Sequence, residues 1–338
     1  MPNRQIVLRQ RPTGRVDAST TDIEEVEIPE PAEGEALVRV GTVSIDPTIR
    51  TWMNDAPGYL PPIEVGAVIR SGGAGVVTQS RTDRFAVGDV VYGMTGWREW
   101  AVTDRSFTVV PRGLGLSLPS VMNVLGLTGV TAYFGLIDVG RVTEGDVVVV
   151  SGAAGATGSV AGQLARAKGA GKVVGVAGGP EKCRYVVERL GFDECLDYRE
   201  PHLTARLHQA CPKGIDLYFD NVGGEILDAA LACLALRGRV VVCGAISQYN
   251  AAERHGLRNT SMLVIRRARM EGFLVMDYAA RYPEAQAELA GLVLSGAIVH
   301  DEHVVEGLEN APSALNMLFD GANTGKTLVV VDPSVTLD

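Results

Sequence analysis

The fold is decided by the stretch Val147-Val148-Val149-Val150-Ser151-Gly152-Ala153-Ala154-Gly155-Ala156-Thr157-Gly158. Four consecutive valines predict a strand that is buried on both faces. The turn after them places Ala153, Gly155 and Gly158 at the three positions of the GxGxxG pattern, with alanine at the first, and a helix is predicted over 158–168. This order of strand, glycine-rich turn and helix is typical of a dinucleotide-binding unit.

The turn is suited to hold a pyrophosphate. Gly155 would let the backbone approach phosphate oxygens, Gly158 would let the helix pack on the strand, and the helix N-terminus would supply amide donors and a positive dipole. The chain has 40 glycines, so a tight turn without a ligand is the plain alternative. The residues predicted to contact the dinucleotide here are Ala154, Gly155, Ala156, Thr157 and Gly158.

Strands and helices continue to alternate after this turn. Apolar strands are predicted at 173–177, 216–219 and 240–244, with helices over 181–190 and 226–236. Such alternation is typical of a parallel sheet covered on both faces. We therefore predict a doubly wound Rossmann domain of the α/β class.

The first 120 residues have a different pattern. Short segments at 25–28, 36–40, 75–78, 90–92 and 97–102 alternate apolar and polar residues between Gly, Pro and Asp, which predicts an irregular antiparallel β-barrel or sandwich. Further helices are predicted over 121–138, 285–295 and 311–319, and a last strand over 327–331 is expected to rejoin the first domain. The expected domains are 1–120, completed by about 300–338, and the Rossmann domain over 121–299.

The end of the second Rossmann strand bears on the choice of dinucleotide. An NAD-binding protein usually carries Asp or Glu there for the ribose hydroxyls. This chain has Ala177-Gly178-Gly179-Pro180 instead, with Lys182 close behind. Because no carboxylate would repel a 2′-phosphate, NADPH is favoured over NADH, with Gly178 and Lys182 as contacts. The alternative for Lys182 is a solvated helix residue.

Composition excludes several classes of protein. The formal net charge of −9 argues against nucleic-acid and anionic-membrane binding, which need a concentrated positive surface. We interpret the short cluster of Arg266, Arg267 and Arg269 as a charged strand edge. The five cysteines contain no CxxC pair, and no apolar run approaches the ~18 residues of a membrane helix, so a soluble, cytoplasmic protein is expected.

Metal ligands are scarce in the sequence. Residues 1–180 contain neither Cys nor His, so a catalytic zinc held by a Cys, His and Glu set is not expected. His300 and His303 lie three residues apart, without a matching carboxylate arrangement, and we interpret them as surface histidines. The prediction is that no metal is bound.

Ordered motifs along the whole chain resemble one known family. They are Ser44-Ile45-Asp46-Pro47, Val87-Gly88-Asp89-Val90-Val91-Tyr92-Gly93, Gly96-Trp97-Arg98-Glu99, Leu125-Gly126-Leu127-Thr128-Gly129-Val130-Thr131-Ala132-Tyr133, Asp220-Asn221-Val222-Gly223-Gly224, Cys243-Gly244-Ala245-Ile246-Ser247-Gln248-Tyr249-Asn250, Arg269-Met270-Glu271-Gly272-Phe273 and Asn323-Thr324-Gly325-Lys326. The chain resembles the zinc-independent medium-chain dehydrogenases/reductases, in the branch that contains leukotriene and prostaglandin reductases and plant double-bond (enone) reductases.

The resemblance implies a GroES-like catalytic domain joined to a Rossmann domain, with NADPH between them and a homodimer built by joining Rossmann sheets edge to edge. It implies reduction of the carbon–carbon double bond of α,β-unsaturated aldehydes or ketones. It places Thr128 near the nicotinamide amide and Lys182 and Tyr198 at the 2′-phosphate. The remaining cofactor contacts that it implies are Asn221, Cys243, Gly244, Ala245, Ile246, Ser247, the strand of Phe273, Leu274 and Val275, and Asn323.

Two positions depart from the family pattern. Thr48 and Ile49 follow Asp46-Pro47 where many relatives have Tyr-Met, and Thr260 follows Asn259 where relatives often have Tyr. Both departures remove aromatic surface, so the substrate is not predicted beyond its class.

Tyr249 is the predicted hydrogen-bond or proton donor to the substrate, because it follows the Cys243–Ser247 turn at the sheet edge where ligands bind. The alternative role for Tyr249, which the sequence supports equally, is to position the cofactor ribose. Tyr59 is the predicted contact at the substrate rim, with turn packing as the plain alternative. NADPH-dependent quinone reduction and non-catalytic NADPH binding or sensing remain the competing functions.

Overall fold

The computed structural model describes residues 2–111 and 117–337. The strands are β1 (Asn3–Leu8), β2 (Thr21–Val26), β3 (Ala36–Ser44), β4 (Gly73–Ser80), β5 (Val90–Gly93), β6 (Trp100–Val102), β7 (Thr108–Val109), β8 (Val147–Ser151), β9 (Lys172–Ala177), β10 (Glu194–Asp197), β11 (Ile215–Asp220), β12 (Leu234–Val242), β13 (Arg269–Gly272), β14 (Glu302–Glu306) and β15 (Lys326–Val330).

The helices are α1 (Thr48–Trp52), α2 (Leu118–Asn123), α3 (Leu127–Phe134), α4 (Ala156–Ala167), α5 (Pro180–Glu188), α6 (Leu203–Ala210), α7 (Gly224–Ala232), α8 (Ile246–Tyr249), α9 (Ser261–Arg266), α10 (Tyr282–Leu294) and α11 (Ala311–Asp320). A π-helix covers Gly135–Val139, and 3-10 helices cover Val275–Arg281 and Leu308–Asn310. Within residues 2–111 and 117–337, no helix is long and apolar enough to cross a membrane.

The chain forms two compact units, one of Met1–Met122 with Glu302–Asp338 and one of Asn123–Asp301. The second unit contains a six-stranded sheet in the order β10-β9-β8-β11-β12-β13, with every neighbouring pair parallel. Numbered within this unit, the order is 3-2-1-4-5-6, which is the Rossmann topology. The central strands β8 and β11 are buried because their valines, leucine and aromatics face helices on both sides.

The first unit is built mainly from antiparallel strands. Its larger sheet runs β14-β15-β3-β4-β5-β7, with β6 also paired to β3, and β1 and β2 form a separate two-stranded sheet. The late strand β15 pairs with β3, so the carboxyl-terminal segment contributes to this sheet. The core contains fully buried Ile6, Ile45, Trp97 and Leu315. The predicted fold class, a β catalytic domain with a doubly wound parallel sheet, is confirmed.

The prediction of a single helix over 121–138 is wrong, because the helix is interrupted between the end of α2 at Asn123 and the start of α3 at Leu127. Gly126 adopts an extended conformation at the N-cap of α3. Gly129 then packs so closely that a Cβ on it would lie 1.8 Å from the Val124 carbonyl oxygen. Apolar periodicity runs through this break, which is why the sequence pattern does not reveal it.

Two smaller expectations are also wrong. Phe273, Leu274 and Val275 do not form a strand, since β13 ends at Gly272 and Val275 starts a 3-10 helix. The arginine cluster is not one strand edge either. Arg266 ends α9, Arg267 has a φ of 51°, and only Arg269 lies in β13.

Candidate functional site

The glycine-rich turn lies at the carboxyl end of β8, where the strand order of the parallel sheet reverses. Strand β8 pairs with β9 on one side and with β11 on the other. In open α/β sheets this reversal leaves a crevice outside the carboxyl ends, because the two connecting helices lie on opposite faces. The turn that was predicted from sequence therefore occupies the ligand-binding position of the topology.

Three glycines of the turn have different surroundings. Gly152 has a φ of 62°, which favours glycine. A Cβ on Gly158 would lie 2.3 Å from the Gly152 carbonyl oxygen, so α4 packs directly on the turn. A Cβ on Gly155 would meet only the Gly152 oxygen, at 3.3 Å. The packing of the protein thus explains why position 158 requires glycine. Packing does not explain the glycine at position 155, where the space beside the backbone is open.

Helix α4 begins at this turn with Gly155 as its N-cap, and the backbone amide of Ser159 donates to the Gly155 carbonyl oxygen at 2.9 Å. Amides in the first turn of an α-helix have no acceptor inside the helix. The backbone N–H groups of Ala156 and Thr157 are therefore without acceptors inside the helix, a feature shared by helix starts that bind anions. Ala154 is buried beneath the turn, at 3% exposure.

A buried hydrogen-bond network joins β8 to β11 below the crevice. One Asp220 carboxylate oxygen accepts hydrogen bonds from the Ser151 hydroxyl at 2.9 Å, the Tyr218 hydroxyl at 3.0 Å and the Gly223 amide at 3.1 Å. Burial raises the pKa of Asp220, although these hydrogen bonds oppose the shift. Asn221 donates its amide N–H to the Ser151 hydroxyl and its side-chain N–H to the Ser151 carbonyl.

This network fixes the two strand ends that border the crevice. Its role was missed from the sequence, where Ser151 was considered only as part of a glycine loop and Asp220 only as part of a motif. A carboxylate and a hydroxyl in otherwise apolar strands were the available signal, since buried polar groups need partners.

The next turn, 243–247, is held against the same network. The amides of Cys243 and Gly244 donate to the Asp220 carbonyl oxygen at 2.9 and 3.0 Å. Ser247 donates its hydroxyl to the Val222 carbonyl oxygen at 2.6 Å. Burial raises the pKa of the Cys243 thiol to about 12, so this cysteine is a poor nucleophile at neutral pH.

Tyr249, the predicted donor, ends the short helix α8. Its hydroxyl oxygen accepts a hydrogen bond from the Ala245 amide at 3.1 Å. The ring therefore folds back over the turn that contains Gly244 and Ala245, and a Cβ on Gly244 would lie 3.4 Å from the hydroxyl oxygen. Ile246 lies at the start of α8, and its amide donates to the Asn221 carbonyl oxygen at 3.2 Å.

The carboxyl end of β9 carries the residues predicted for the 2′-phosphate. The Tyr198 hydroxyl would lie 2.8 Å from a Cβ on Gly178, so its ring covers a position where a side chain has no room. Lys182 lies in the first turn of α5, whose N-cap is Gly179. Burial, and secondly the positive charge of Arg199, lower the pKa of Lys182. Gly178 and Tyr198 are thus adjacent, and Lys182 follows Gly178 in the chain, at the start of α5.

Other predicted cofactor residues are more separate. Thr128 lies in the first turn of α3 and donates its hydroxyl to the Asn123 carbonyl oxygen at 3.0 Å. Phe273 follows β13 and packs edge-on against Tyr278, with ring centroids 6.4 Å apart. Asn323 belongs to the first unit, where it is buried and donates to the Gly325 carbonyl oxygen at 3.2 Å.

A buried ion pair organises the Ser44–Pro47 motif in the first unit. The Lys326 ammonium is 2.9 Å from an Asp46 carboxylate oxygen and donates to the Ile45 carbonyl oxygen at 2.9 Å. The Ser44 hydroxyl donates to the other Asp46 oxygen. Arg50 is buried and donates to the carbonyl oxygens of Pro12 and Gly14, which assigns it to the packing of the amino-terminal loop.

Tyr59 is half-exposed in the same unit, with 44% of its surface accessible. Its hydroxyl forms a hydrogen bond with the Thr48 hydroxyl, and its ring packs edge-on against Trp52 at 6.3 Å. The Arg70 guanidinium lies 5.5 Å from the Trp52 ring centre. Thr48 is therefore the hydrogen-bond partner of Tyr59.

The described residues do not fit a zinc site. No three His, Cys, Asp or Glu side chains converge on one point in residues 2–111 and 117–337. The Lys182 and Arg199 cations, by contrast, lie beside a strand end without a carboxylate of its own, and the Gly155 face is open. Both features suit a phosphorylated dinucleotide.

A Rossmann sheet with a glycine-rich turn at its switch point, together with an antiparallel β unit, defines a dinucleotide-dependent oxidoreductase. Two family models match the chain: "N-terminal domain of oxidoreductase" over residues 4–110 and "Zinc-binding dehydrogenase" over residues 156–291. The chain belongs to the medium-chain dehydrogenase/reductase family, in its zinc-independent enone-reductase branch.

The similarity to individual relatives extends over nearly the full length. The chain is 40% identical to the NADPH-dependent curcumin reductase of Escherichia coli, covering 97% of each protein. It is 39% identical to the NADP⁺-dependent 2-alkenal reductase of Nicotiana tabacum, again over 97% of each. The structure of CurA from Vibrio vulnificus in complex with NADPH superposes with a TM-score of 0.91 at 40% identity, covering 97% of this chain and 99% of CurA.

Proposed function

We propose that this enzyme reduces the carbon–carbon double bond of α,β-unsaturated aldehydes and ketones with NADPH. The observation that carries the proposal is the full-length similarity to two NADPH-dependent reductases, one named for curcumin and one for 2-alkenals. In this proposal, a GroES-like catalytic domain spans residues 1–120 with about 300–338, and an NADPH-binding domain spans 121–299.

NADPH supplies a hydride for the β-carbon of the enone when it is bound. In the proposal, residues 154–158 hold the pyrophosphate, Gly178, Lys182 and Tyr198 hold the 2′-phosphate end, and Thr128 contacts the nicotinamide amide. The remaining cofactor contacts that we propose are Asn221, Cys243, Gly244, Ala245, Ile246, Ser247, Phe273, Leu274, Val275 and Asn323. The proposal includes no catalytic metal, because residues 2–111 and 117–337 bring no matching set of metal donors together.

Tyr249 is proposed to stabilise the carbonyl oxygen of the substrate. Hydride transfer to the β-carbon leaves negative charge on that oxygen, and a hydrogen-bond donor lowers the barrier. A proton from Tyr249, from solvent or from the ribose hydroxyl then reaches the α-carbon and completes the reduction. The Ala245 amide donates to the Tyr249 hydroxyl oxygen, and a hydrogen bond of this kind polarises the phenolic O–H toward donation. Tyr59 is proposed to contact substrate at the rim, beside Trp52.

The test is to follow loss of NADPH absorbance with a medium-chain 2-alkenal and with curcumin, and to identify the products by mass spectrometry and NMR. We expect saturation of the double bond and a strong preference for NADPH over NADH. An allylic alcohol as product would overturn the reaction type. Rapid reduction of a small quinone without turnover of either enone would instead assign a quinone reductase.

We also propose a homodimer that forms through the edge strand β13. This strand pairs only with β12 in the described sheet, and Met270 on it is 39% exposed. On the preceding helix α9, Val264 is 80% exposed and Ile265 is 59% exposed. An unpaired strand edge beside exposed apolar side chains favours association between copies.

The proposed location is the cytoplasm. The five cysteines are free thiols, which suits a reducing compartment.

A further inference from the structure

Arg199 stands beside the predicted 2′-phosphate residues, although neither the motif nor the family resemblance pointed to it. Its backbone amide donates to an Asp197 carboxylate oxygen at 2.9 Å, and the Gly179 amide donates to the same oxygen at 2.8 Å. Asp197 therefore ties the β10 end to the N-cap of α5. As a result, the Arg199 guanidinium would lie 3.3 Å from a Cβ on Gly179.

Lys182 is the third residue after Gly179, in the first turn of α5, and its ammonium lies within range of the Arg199 charge. Neither side chain forms an ion pair or hydrogen bond among residues 2–111 and 117–337. Asp197 accepts the two backbone amides and forms no ion pair with either cation, and Glu200 pairs with Arg206 at 3.2 Å. Burial is the larger cause that lowers the pKa of Lys182, and the positive charge of Arg199 lowers it further, so the two cations repel each other.

Two like charges that form no ion pair repel each other, and an anion bound between them removes that repulsion. A phosphate monoester carries a charge of roughly −1.5 to −2 at neutral pH and offers three acceptor oxygens. A guanidinium can bind two of those oxygens at once, whereas an ammonium acts as a point charge. The pair of side chains therefore matches one phosphate group, with a separate role for each cation.

We propose that Arg199 is a specificity-determining residue that binds the 2′-phosphate of NADPH together with Lys182 and discriminates against NADH. This inference rests on the proposed function, because it assumes that the nucleotide lies along the carboxyl edge of the sheet. It adds Arg199, which follows β10, to Lys182 and Tyr198, the two contacts that the family pattern implies.

The test measures nucleotide binding by calorimetry, without turnover. Adenosine 2′,5′-bisphosphate is compared with adenosine 5′-monophosphate, which lacks the 2′-phosphate. A hydrogen bond to a charged group contributes about 1.4 kcal/mol, which corresponds to a tenfold change in affinity. Arg199→Ala should therefore lower the affinity for the bisphosphate about tenfold and leave the affinity for the monophosphate unchanged. Arg199→Lys should recover part of the loss.

The matched control is Arg184→Ala, which removes the same charge from an exposed position on α5. It should alter both affinities by less than about twofold, as expected for a screened surface charge. In steady-state assays, Arg199→Ala should raise KM for NADPH without changing kcat or the KM for NADH.

An equal loss for both nucleotides, or the same loss in the control, would assign Arg199 a structural or long-range role and overturn the inference. Unchanged affinity for the bisphosphate would overturn it as well. If the unaltered protein binds neither adenosine 2′,5′-bisphosphate nor NADPH, the proposed cofactor itself is wrong. These results separate failure of the inference from failure of the proposed function.

Discussion

At the scale of single residues, Tyr249 allows the sharpest test of the chemistry. Replacing Tyr249 by Phe removes the hydroxyl group, which accepts a hydrogen bond from the Ala245 amide and is proposed to donate one to the substrate. A positioned acid contributes about 10²–10⁴-fold, and water can replace it in part, so we expect kcat for enone reduction to fall at least about tenfold. The affinity for NADPH should remain within about twofold, because the turn itself is held by backbone hydrogen bonds.

Stopped-flow measurement of the hydride-transfer step, with titration of NADPH, checks this prediction. Tyr133→Phe is the control, since the Tyr133 hydroxyl donates to Glu288 at 2.9 Å and takes no part in the proposed site. If kcat is unchanged and only NADPH affinity falls, Tyr249 contacts the cofactor ribose and is not the donor.

Lys326 provides a residue-scale prediction about stability. Its ammonium is 1% exposed and pairs with Asp46, so Lys326→Met leaves a largely buried carboxylate without its counter-charge. Breaking one side of a buried pair costs about 3–5 kcal/mol, which we expect as the loss in free energy of unfolding.

Urea denaturation measures this loss. The control is Lys168→Met, which removes a partly exposed ion pair with Glu288 and should cost at most ~1 kcal/mol. Equal losses in the two variants would contradict the structural role of Lys326. A double variant that also carries Asp46→Asn should lose less than the sum of the single changes, because the two side chains interact directly.

These residues also show where sequence reasoning reaches its limit. Lys326 was visible as the end of the Asn323–Lys326 motif, but lysines are rarely buried, so its role in fixing the Ser44–Pro47 loop was not predicted. Lys182 was identified because a missing carboxylate is a local pattern. Arg199 was not, since its proximity to Lys182 arises from the pairing of β9 with β10.

At the scale of elements, the β8–α4 turn offers a matched pair of variants. Gly158→Ala would place a Cβ 2.3 Å from the Gly152 carbonyl oxygen, which forces α4 away from the turn. Overpacking costs about 1–3 kcal/mol, more than the ~1 kcal/mol that alanine gains over glycine in a helix. We therefore expect a lower melting temperature for Gly158→Ala.

Gly155→Ala should behave differently, because its Cβ would meet only one protein atom, at 3.3 Å. Its melting temperature should stay close to that of the parent, while its affinity for NADPH should fall about tenfold or more, as expected when a methyl group blocks close approach of a phosphate. Calorimetric unfolding and nucleotide titration of both variants check the pair. Unchanged NADPH affinity in Gly155→Ala would show that the pyrophosphate lies elsewhere.

Elements differ in how well their sequences predict them. Strand β8 and helix α4 agree closely with expectation, since four valines and a following amphipathic run have few alternative structures. The break between α2 and α3 was missed, because it depends on backbone packing at Gly129. A local apolar pattern contains no information about such a close approach.

At the scale of the whole molecule, the two units differ in how the chain builds them. The unit of Asn123–Asp301 is one continuous segment, and its alternating strands and helices could be predicted in order along the sequence. The other unit joins segments from both ends of the chain, through the pairing of β15 with β3. Its sheet order was not predicted, because short antiparallel strands can pair in many ways.

The homodimer is the prediction that belongs to this scale. If β13 joins its counterpart in a second copy, sedimentation equilibrium should give twice the chain mass of 35.8 kDa. Replacing Val264 and Ile265 together by Asp should give a folded monomer, since burying two carboxylates in an apolar contact is unfavourable. Val304→Asp, at a 51% exposed position on β14, should leave the mass unchanged. A monomeric parent protein, or a dimer that survives the double change, would show that this edge is not the interface.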